Sequence, residues 1–153
     1  MGRTHPIELT NMCMLQRKDG RVLVQNRSDP QWGGLTFPGG HVEPGESMVD
    51  SVVREMQEET GLTVLHPRLV GTKSWMQKND GGRYLVLLYT ASEYEGELHD
   101  SEEGDIQWMT LEEMQSGKMA DGMDLYLEVY LRQQFSEIWY GFDGNDWTPP
   151  MLK

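Results

Sequence analysis

The stretch GGHVEPGESMVDSVVREMQEETGL, residues 39–62, decides the fold, because it joins a glycine-rich turn to a complete amphipathic helix. Its apolar residues recur at the i, i+3, i+4, i+7 spacing of one buried helix face: Val49, Val52, Val53 and Met56. Ser47 followed by Asp50 resembles a capping box, and Gly61 fits the C′ position at the other end. The sequence therefore predicts a helix between Ser47 and Gly61.

The same helix concentrates negative charge, since Glu55, Glu58 and Glu59 fall on one arc beside the apolar stripe. Like charges at i, i+4 repel by about 0.2–0.5 kcal/mol when exposed, and more strongly where water is partly excluded. The guanidinium of Arg54 cannot neutralise these carboxylates and Glu46 together. A divalent cation can. Because no Cys/His cluster accompanies the acids, Mg²⁺ or Mn²⁺ is favoured over zinc.

A magnesium site of this kind predicts a substrate that carries phosphate, because Mg²⁺ usually completes its shell with waters and substrate phosphates. The cation would also bridge an anionic substrate to a chain whose net charge is −12. Gly39 and Gly40 would let the backbone approach the ions closely. The alternatives are a solvated acidic helix face for the glutamates and a plain turn for the glycines.

The remaining pattern predicts strands on both sides of this helix. Turn signals at residues 18–20 and 79–82 each separate two apolar runs and predict β-hairpins. Residues 84–89 are apolar throughout, which predicts a central strand covered on both faces. A second helix is predicted over residues 123–135, with Met123, Leu127, Tyr130 and Leu131 in the core. These elements predict an α/β fold, an α/β/α sandwich with a mixed β-sheet between helices.

The whole chain sets further expectations. With 153 residues, of which 37% are hydrophobic, we expect a single domain over residues 1–153 without a membrane span. The net charge argues against a basic surface for double-stranded nucleic acid. One cysteine and an N-terminus without an apolar signal segment predict a cytoplasmic protein. Its oligomeric state is expected to be monomer or homodimer.

The spacing of the acidic stretch carries a family resemblance. From Gly40 the chain has five residues and then Glu46, seven residues and then Arg54, followed by EMQEETGL, residues 55–62. This pattern resembles the Nudix box of the Nudix hydrolases at every defined position. The resemblance implies a Nudix-type α/β/α sandwich that hydrolyses a nucleoside diphosphate linked to another moiety, by attack of water at phosphorus.

The resemblance also implies roles for the residues of the box. It implies metal ligands at the Gly39 carbonyl and at three carboxylates: Glu55, Glu58 and Glu59. Glu55 or Glu58 would help to deprotonate or orient the water. Arg54 would hold the glutamates in place, and Glu46 would support the loop and the start of the helix.

Members of the family often contribute one more acid from a distant loop. In this chain the residues that fit are Glu102 and Glu103, in the run SEEGDIQWM. We favour Glu103, which precedes Gly104, as a catalytic residue and metal ligand. The alternative is a charged surface loop.

The surroundings of the box resemble the MutT-like 8-oxo-dGTP diphosphatases, through the FPGG run at residues 37–40, residues 103–109 and the tail FSEIWYGFDGNDW. This resemblance implies a substrate-binding role near the base for Thr36, Met119 and Asp121, with Asp124 nearby. His41 lies inside the box and is a candidate for phosphate contact. An aspartate just before a helix is otherwise an N-cap, and a lone loop histidine is otherwise idle.

The resemblance implies a Mg²⁺-dependent enzyme that converts a (deoxy)nucleoside triphosphate, with 8-oxo-dGTP as the candidate, to monophosphate and pyrophosphate. Alternative substrates are ADP-ribose, a dinucleoside polyphosphate and an RNA 5′ end, and a module that senses nucleotides without hydrolysis is a further alternative. One of five tryptophans is expected to stack on a purine, whereas the others pack in the core: Trp32, Trp75, Trp108, Trp139 and Trp147.

Overall fold

The computed structural model describes residues 2–99 and 104–153. Over these residues the chain forms eleven strands and three helices. The strands are β1 (Ile7–Leu15), β2 (Val22–Arg27), β3 (Gly34–Thr36), β4 (Gly39–His41), β5 (Thr63–Leu65), β6 (Arg68–Met76), β7 (Arg83–Ala91), β8 (Glu93–Glu95), β9 (Gly104–Met109), β10 (Glu137–Tyr140) and β11 (Met151–Leu152). The helices are α1 (Met48–Thr60), α2 (Leu111–Ser116) and α3 (Met123–Leu131).

A six-stranded mixed sheet forms the centre of the molecule, in the order β11-β10-β6-β7-β1-β4. β1 runs parallel to β7, and β6 runs parallel to β10, whereas the other neighbours are antiparallel. The predicted apolar run at residues 84–89 lies in β7, between β6 and β1, as its two-sided burial requires. Two smaller sheets accompany it, β3-β2-β9 and β5-β8.

Alternating side chains of the central sheet enter two separate cores. Met12 and Met14 of β1 pack in a core with α2 and α3, whereas Cys13 and Leu15 pack in a core with α1. Successive strand residues point to opposite faces, so helices cover both faces of the sheet. The predicted α/β/α sandwich with a mixed sheet is confirmed.

The two predicted hairpins differ in extent. β6 and β7 pair antiparallel around residues 79–82, as predicted. At residues 18–20 the predicted hairpin is confirmed at its turn, where the Arg17 N–H donates to the Arg21 carbonyl at 2.8 Å and Gln16 forms an antiparallel bridge with Val22. Beyond this bridge β1 and β2 enter different sheets, because a turn sequence specifies a local reversal and not the partner of each strand.

Helix α1 begins and ends where the caps predict. Ser47 Oγ accepts a hydrogen bond from the Asp50 backbone N–H at 3.0 Å, and Gly61 has φ of 81° at the C-terminal end. Such a left-handed conformation favours glycine. The predicted stripe is wrong at Val49, which is 43% exposed, because the buried face of α1 is centred on Val52, Met56, Glu59 and Thr60.

The second predicted helix is shorter than expected. α3 ends at Leu131, four positions before Phe135, and Leu131 is exposed. α2 was not predicted, although Thr110 and Glu113 form a complete capping box at its start. The longest helix in the described ranges, α1, has 13 residues, and no helix there is long and apolar enough to cross a membrane.

Candidate active site

Arg54 connects the loop before α1 to the glutamates of the helix. Its Nε and Nη2 donate to the two carboxylate oxygens of Glu46 at 2.7 and 3.0 Å. Its Nη1 lies 3.0 Å from Glu55 Oε1 and 3.2 Å from Glu58 Oε2, and Nη2 donates to the His41 carbonyl at 2.9 Å. The hydrogen bonds from Arg54 hold the pKa of Glu46 below its usual value. The guanidinium of Arg54 therefore holds the loop before α1 and the glutamates of α1 in fixed positions.

The three helix glutamates differ in exposure. Glu59 is 6% exposed, the Glu55 side chain is 14% exposed and the Glu58 side chain is 59% exposed. Glu59 Oε2 accepts a hydrogen bond from the Gly39 N–H at 3.2 Å. A Cβ atom at Gly40 would collide with the carboxylate of Glu55. The missing side chain at Gly40 therefore lets the Glu55 carboxylate lie directly against the backbone of β4, to which the Glu59 carboxylate is hydrogen-bonded.

Asn11 of β1 holds β4 against α1, and the sequence did not indicate this role. Its Oδ1 accepts from the Gly40 N–H at 3.1 Å, and its Nδ2 donates to Ser51 Oγ at 2.9 Å. The side chain is buried, so both hydrogen bonds are shielded from water. Its signal in the sequence is a polar residue inside the apolar run of β1.

A cavity of about 710 Å³ lies beside these residues. Its lining includes Gly39, Gly40, Glu55 and Glu59 from the acidic stretch, together with aromatic side chains of β6, β7, β10 and α3. Since four strand spacings separate β4 from β10 in the sheet, the cavity extends across about 19 Å of sheet. It has an acidic end at β4 and α1 and an aromatic end at β6 and β10.

The aromatic end contains two of the five tryptophans. Trp75 stacks on Tyr84, with ring centroids 4.4 Å apart and an angle of 9° between the planes, and Tyr140 meets Trp75 edge to face at 6.3 Å. Trp32 donates from Nε1 to the Asp121 carbonyl at 2.9 Å. The other three contact charged or aromatic side chains outside the cavity: Trp108, Trp139 and Trp147.

Lys73 of β6 lies at the same end and was missed from the sequence. It is 8% exposed, and its Nζ lies 4.4 Å from the centroid of the Tyr126 ring and 5.3 Å from that of Tyr140. Burial lowers the pKa of Lys73 to about 8, against the opposing effect of the carboxylates of Asp121 and Asp124. The signal in the sequence was its spacing of two from Trp75, which places both side chains on one face of the strand.

Comparison with known proteins shows the family. The chain matches the family model of the NUDIX domain over residues 8–130. It belongs to the Nudix hydrolase family. Nudix hydrolases act on phosphoanhydride bonds of nucleotide derivatives and generally use divalent cations such as Mg²⁺.

Individual relatives agree with this assignment. The chain is 34% identical over 135 residues to the uncharacterized Nudix hydrolase YvcI of Bacillus subtilis, covering 86% of this chain and 83% of that protein. It is 34% identical over 82 residues to an ADP-ribose pyrophosphatase of Methanocaldococcus jannaschii, covering 53% of this chain and 48% of that protein. The fold is similar to that of a mutator MutT protein from Bacillus halodurans, with a TM-score of 0.78, 26% identity and coverage of 95% and 97%.

The donor set of the Nudix box suits a magnesium ion. Its candidate ligands are all oxygens, which Mg²⁺ prefers. Within residues 2–99 and 104–153, no three His, Cys, Asp or Glu side chains stand close enough together to hold a metal ion. This arrangement fits Mg²⁺, which typically binds one or two carboxylates and fills its other positions with waters and substrate phosphates. Glu102 and Glu103 lie outside the described residues.

The remaining predicted residues of the Nudix site occupy different positions. His41 lines the cavity, and its Nε2 lies 2.9 Å from Glu8 Oε2; hydrogen bonding to His41, and secondarily to Gln77, lowers the pKa of Glu8. Asp121 also lines the cavity. It is not an N-cap, because Gly122 occupies that position of α3.

The structure does not bring Thr36 or Met119 to the cavity. Thr36 is fully buried, and its hydroxyl donates to the Phe37 carbonyl at 3.3 Å. Met119 is half-buried and bridges to Leu35 of β3. Both side chains are held by core packing. Asp124 lies exposed in the first turn of α3.

Proposed function

We propose that this Nudix hydrolase converts a purine (deoxy)nucleoside triphosphate, with 8-oxo-dGTP as the candidate, to the monophosphate and pyrophosphate. One observation carries the proposal: a single cavity is lined at one end by Glu55 and Glu59 and at the other by Trp75 and Tyr84. The acidic end suits metal-bound phosphates, and the aromatic end suits a flat base.

Residues of the Nudix box would hold Mg²⁺, with Mn²⁺ as the alternative, through the carbonyl of Gly39 and the carboxylates of Glu55, Glu58 and Glu59. Since no three acidic side chains of the described residues stand close enough together to hold one ion, these ligands would be shared between more than one ion. Glu103 is the proposed additional ligand. When bound, the cation would stabilise negative charge on the phosphates and favour loss of a proton from the attacking water.

The chain's own residues would position the reaction. The bidentate contact of Arg54 with Glu46 and its contacts with Glu55 and Glu58 hold these side chains together. Either Glu55 or Glu58 would accept the proton of the water as general base. A bond forms between the water oxygen and phosphorus, a phosphoanhydride bond breaks, and pyrophosphate leaves.

A panel of nucleotides with Mg²⁺ tests this proposal, with both products identified for each substrate. We expect pyrophosphate and a nucleoside monophosphate. Glu58→Gln should lower turnover by about 10²–10⁴-fold without changing the folded state, because it removes a charged ligand or base. Glu112→Gln is the matched control, since Glu112 is an exposed helix glutamate outside the cavity. Unchanged turnover in Glu58→Gln would remove the metal assignment.

A second candidate function is hydrolysis of another nucleoside diphosphate derivative. The similarity to an ADP-ribose pyrophosphatase and to NAD-capped RNA hydrolases named NudC favours it, although the chain spans less than half the length of each. ADP-ribose would give AMP and ribose 5-phosphate in the same panel. A dinucleoside polyphosphate or an RNA 5′ end would also be identified by its products, and tight nucleotide binding without any product would indicate a sensing module.

A further inference from the structure

Lys73 combines a positive charge with burial. Within the described part of the chain, its Nζ forms neither a hydrogen bond nor an ion pair, although the residue is only 8% exposed. Burying an ammonium group without acceptors is costly. The faces of the Tyr126, Tyr140 and Trp75 rings offset part of that cost through cation–π contacts, but they leave the three N–H donors available to a ligand in the cavity.

The sheet sets the distance between Lys73 and the Nudix box. Lys73 pairs with Val86, Val86 with Thr10, and Thr10 with His41, so these four residues form one row across neighbouring strands. Three strand spacings correspond to about 14 Å between the Cα atoms of Lys73 and His41. A ligand whose phosphates lie at the glutamates would therefore present its other end to Lys73.

The surroundings of Lys73 favour a neutral, aromatic ligand group over a second phosphate. Asp121 lines the same cavity, and with Asp124 it exerts a negative field on Lys73. These carboxylates would repel a phosphate, whereas they can accept hydrogen bonds from a base. Trp75 and Tyr84 stack on each other, and both line the cavity, so the pair offers a flat base an aromatic surface to pack against.

We propose that Lys73 determines base specificity by donating a hydrogen bond to O6 of a 6-oxopurine. A 6-oxopurine presents the acceptor O6 at C6, whereas adenine presents the N6 amino donor there. An ammonium group has donors only, so it pairs with the oxygen and conflicts with the amino group. This inference rests on the proposed function, since it assigns the aromatic end of the cavity to the base.

Inosine and adenosine triphosphates test this inference, because they differ in the group at C6 and in the N1 proton that accompanies it. The ratio of their kcat/KM values is measured with Mg²⁺ for the native chain, Lys73→Met and Lys78→Met. We expect the native chain to prefer inosine triphosphate by about 10- to 100-fold, the range for a hydrogen bond to a charged group. Lys73→Met should bring the ratio near one by slowing the inosine substrate.

Lys78→Met is the matched control, because Lys78 also lies over an aromatic ring, that of Trp147, but outside the cavity. It should keep the native ratio. The inference is overturned if the native chain shows no preference for inosine triphosphate. It is also overturned if Lys73→Met slows both substrates equally, which would indicate a phosphate contact or a structural role.

A binding measurement separates this inference from the proposed function. Quenching of tryptophan fluorescence reports the affinity for inosine and adenosine monophosphates without metal or hydrolysis. If neither triphosphate is hydrolysed, the proposed function fails, and the inference still stands where the native chain binds inosine monophosphate more tightly and Lys73→Met abolishes the difference. Equal affinity of the native chain for both monophosphates overturns the inference alone.

Discussion

Arg54 connects the loop before α1 to the glutamates of that helix. Its guanidinium contacts Glu46, Glu55, Glu58 and the carbonyl of His41 at once. Only a planar group with five donors can make this set of contacts, because an ammonium group has three donors on a single atom. Any shift of Arg54 would therefore move the glutamates and the loop together.

We expect Arg54→Lys to lose the bidentate contact with Glu46 and with it the fixed position of Glu55. Turnover should fall by about 10-fold or more, and the free energy of unfolding by about 1–2 kcal/mol. Steady-state kinetics and urea unfolding measure the two effects. Arg132→Lys is the control, since Arg132 forms an exposed i, i+4 pair with Glu128. Native turnover in Arg54→Lys would contradict the positioning role.

Lys73 should give the stability of the protein a measurable pH dependence. Its pKa is about 8 in the folded protein and near 10.5 in an unfolded chain. Between these values the unfolded state binds more protons, so the folded state gains stability as the pH rises. From pH 7 to pH 9.5 the native chain should gain about 2 kcal/mol relative to Lys73→Met.

Urea unfolding of both proteins at the two pH values measures this difference. Asp121, Asp124, Tyr126 and Tyr140 face Lys73 in the native chain, and all four remain in the variant. Burial raises the pKa of both tyrosines above the usual value, so they stay protonated over this range. A pH dependence that is the same in both proteins would show that Lys73 is not the titrating group.

At the scale of the element, α1 carries the glutamates, and its start depends on Ser47. We expect Ser47→Ala to lower the free energy of unfolding by about 1 kcal/mol, because the Asp50 N–H loses its acceptor. Turnover should stay near the native value, since Ser47 lies outside the cavity. Ser116→Ala is the control. Ser116 is the last residue of α2, and its hydroxyl donates to the Glu113 carbonyl of that helix instead of capping a helix start. Equal stability of the two variants would contradict the cap.

The elements also show which features could be predicted from sequence. The caps and boundaries of α1 were predicted correctly because their signals are local. The separation of β1 and β2 into different sheets after the turn at residues 18–20 was not predicted, because strand partners are set by distant residues. α2 was missed because it buries a single side chain, Met114. The residues of the Nudix box could be predicted because the box is continuous in sequence. Lys73 and Asn11 could not, because only the order of the strands in the sheet brings them to the cavity.

For the whole molecule, the net charge of −12 destabilises the folded state through repulsion between like charges, so a bound cation should also raise stability. We expect Mg²⁺ at 100 times its dissociation constant to stabilise the fold by about 2.7 kcal/mol. Thermal unfolding with MgCl₂, compared with NaCl at equal ionic strength, measures this effect. Glu58→Gln should reduce the shift. An equal shift with both salts would indicate screening of surface charge rather than a bound ion.

The row from Lys73 to His41 has a fixed length. Spacing between paired strands is set by backbone hydrogen bonds and hardly varies, so the Cα atoms of Lys73 and His41 stay about 14 Å apart. If Lys73 anchors the base, as proposed, only phosphates at about that distance from the base would reach the acidic end. We then expect the length of the phosphate chain, and not only the identity of the base, to select which bond is cut.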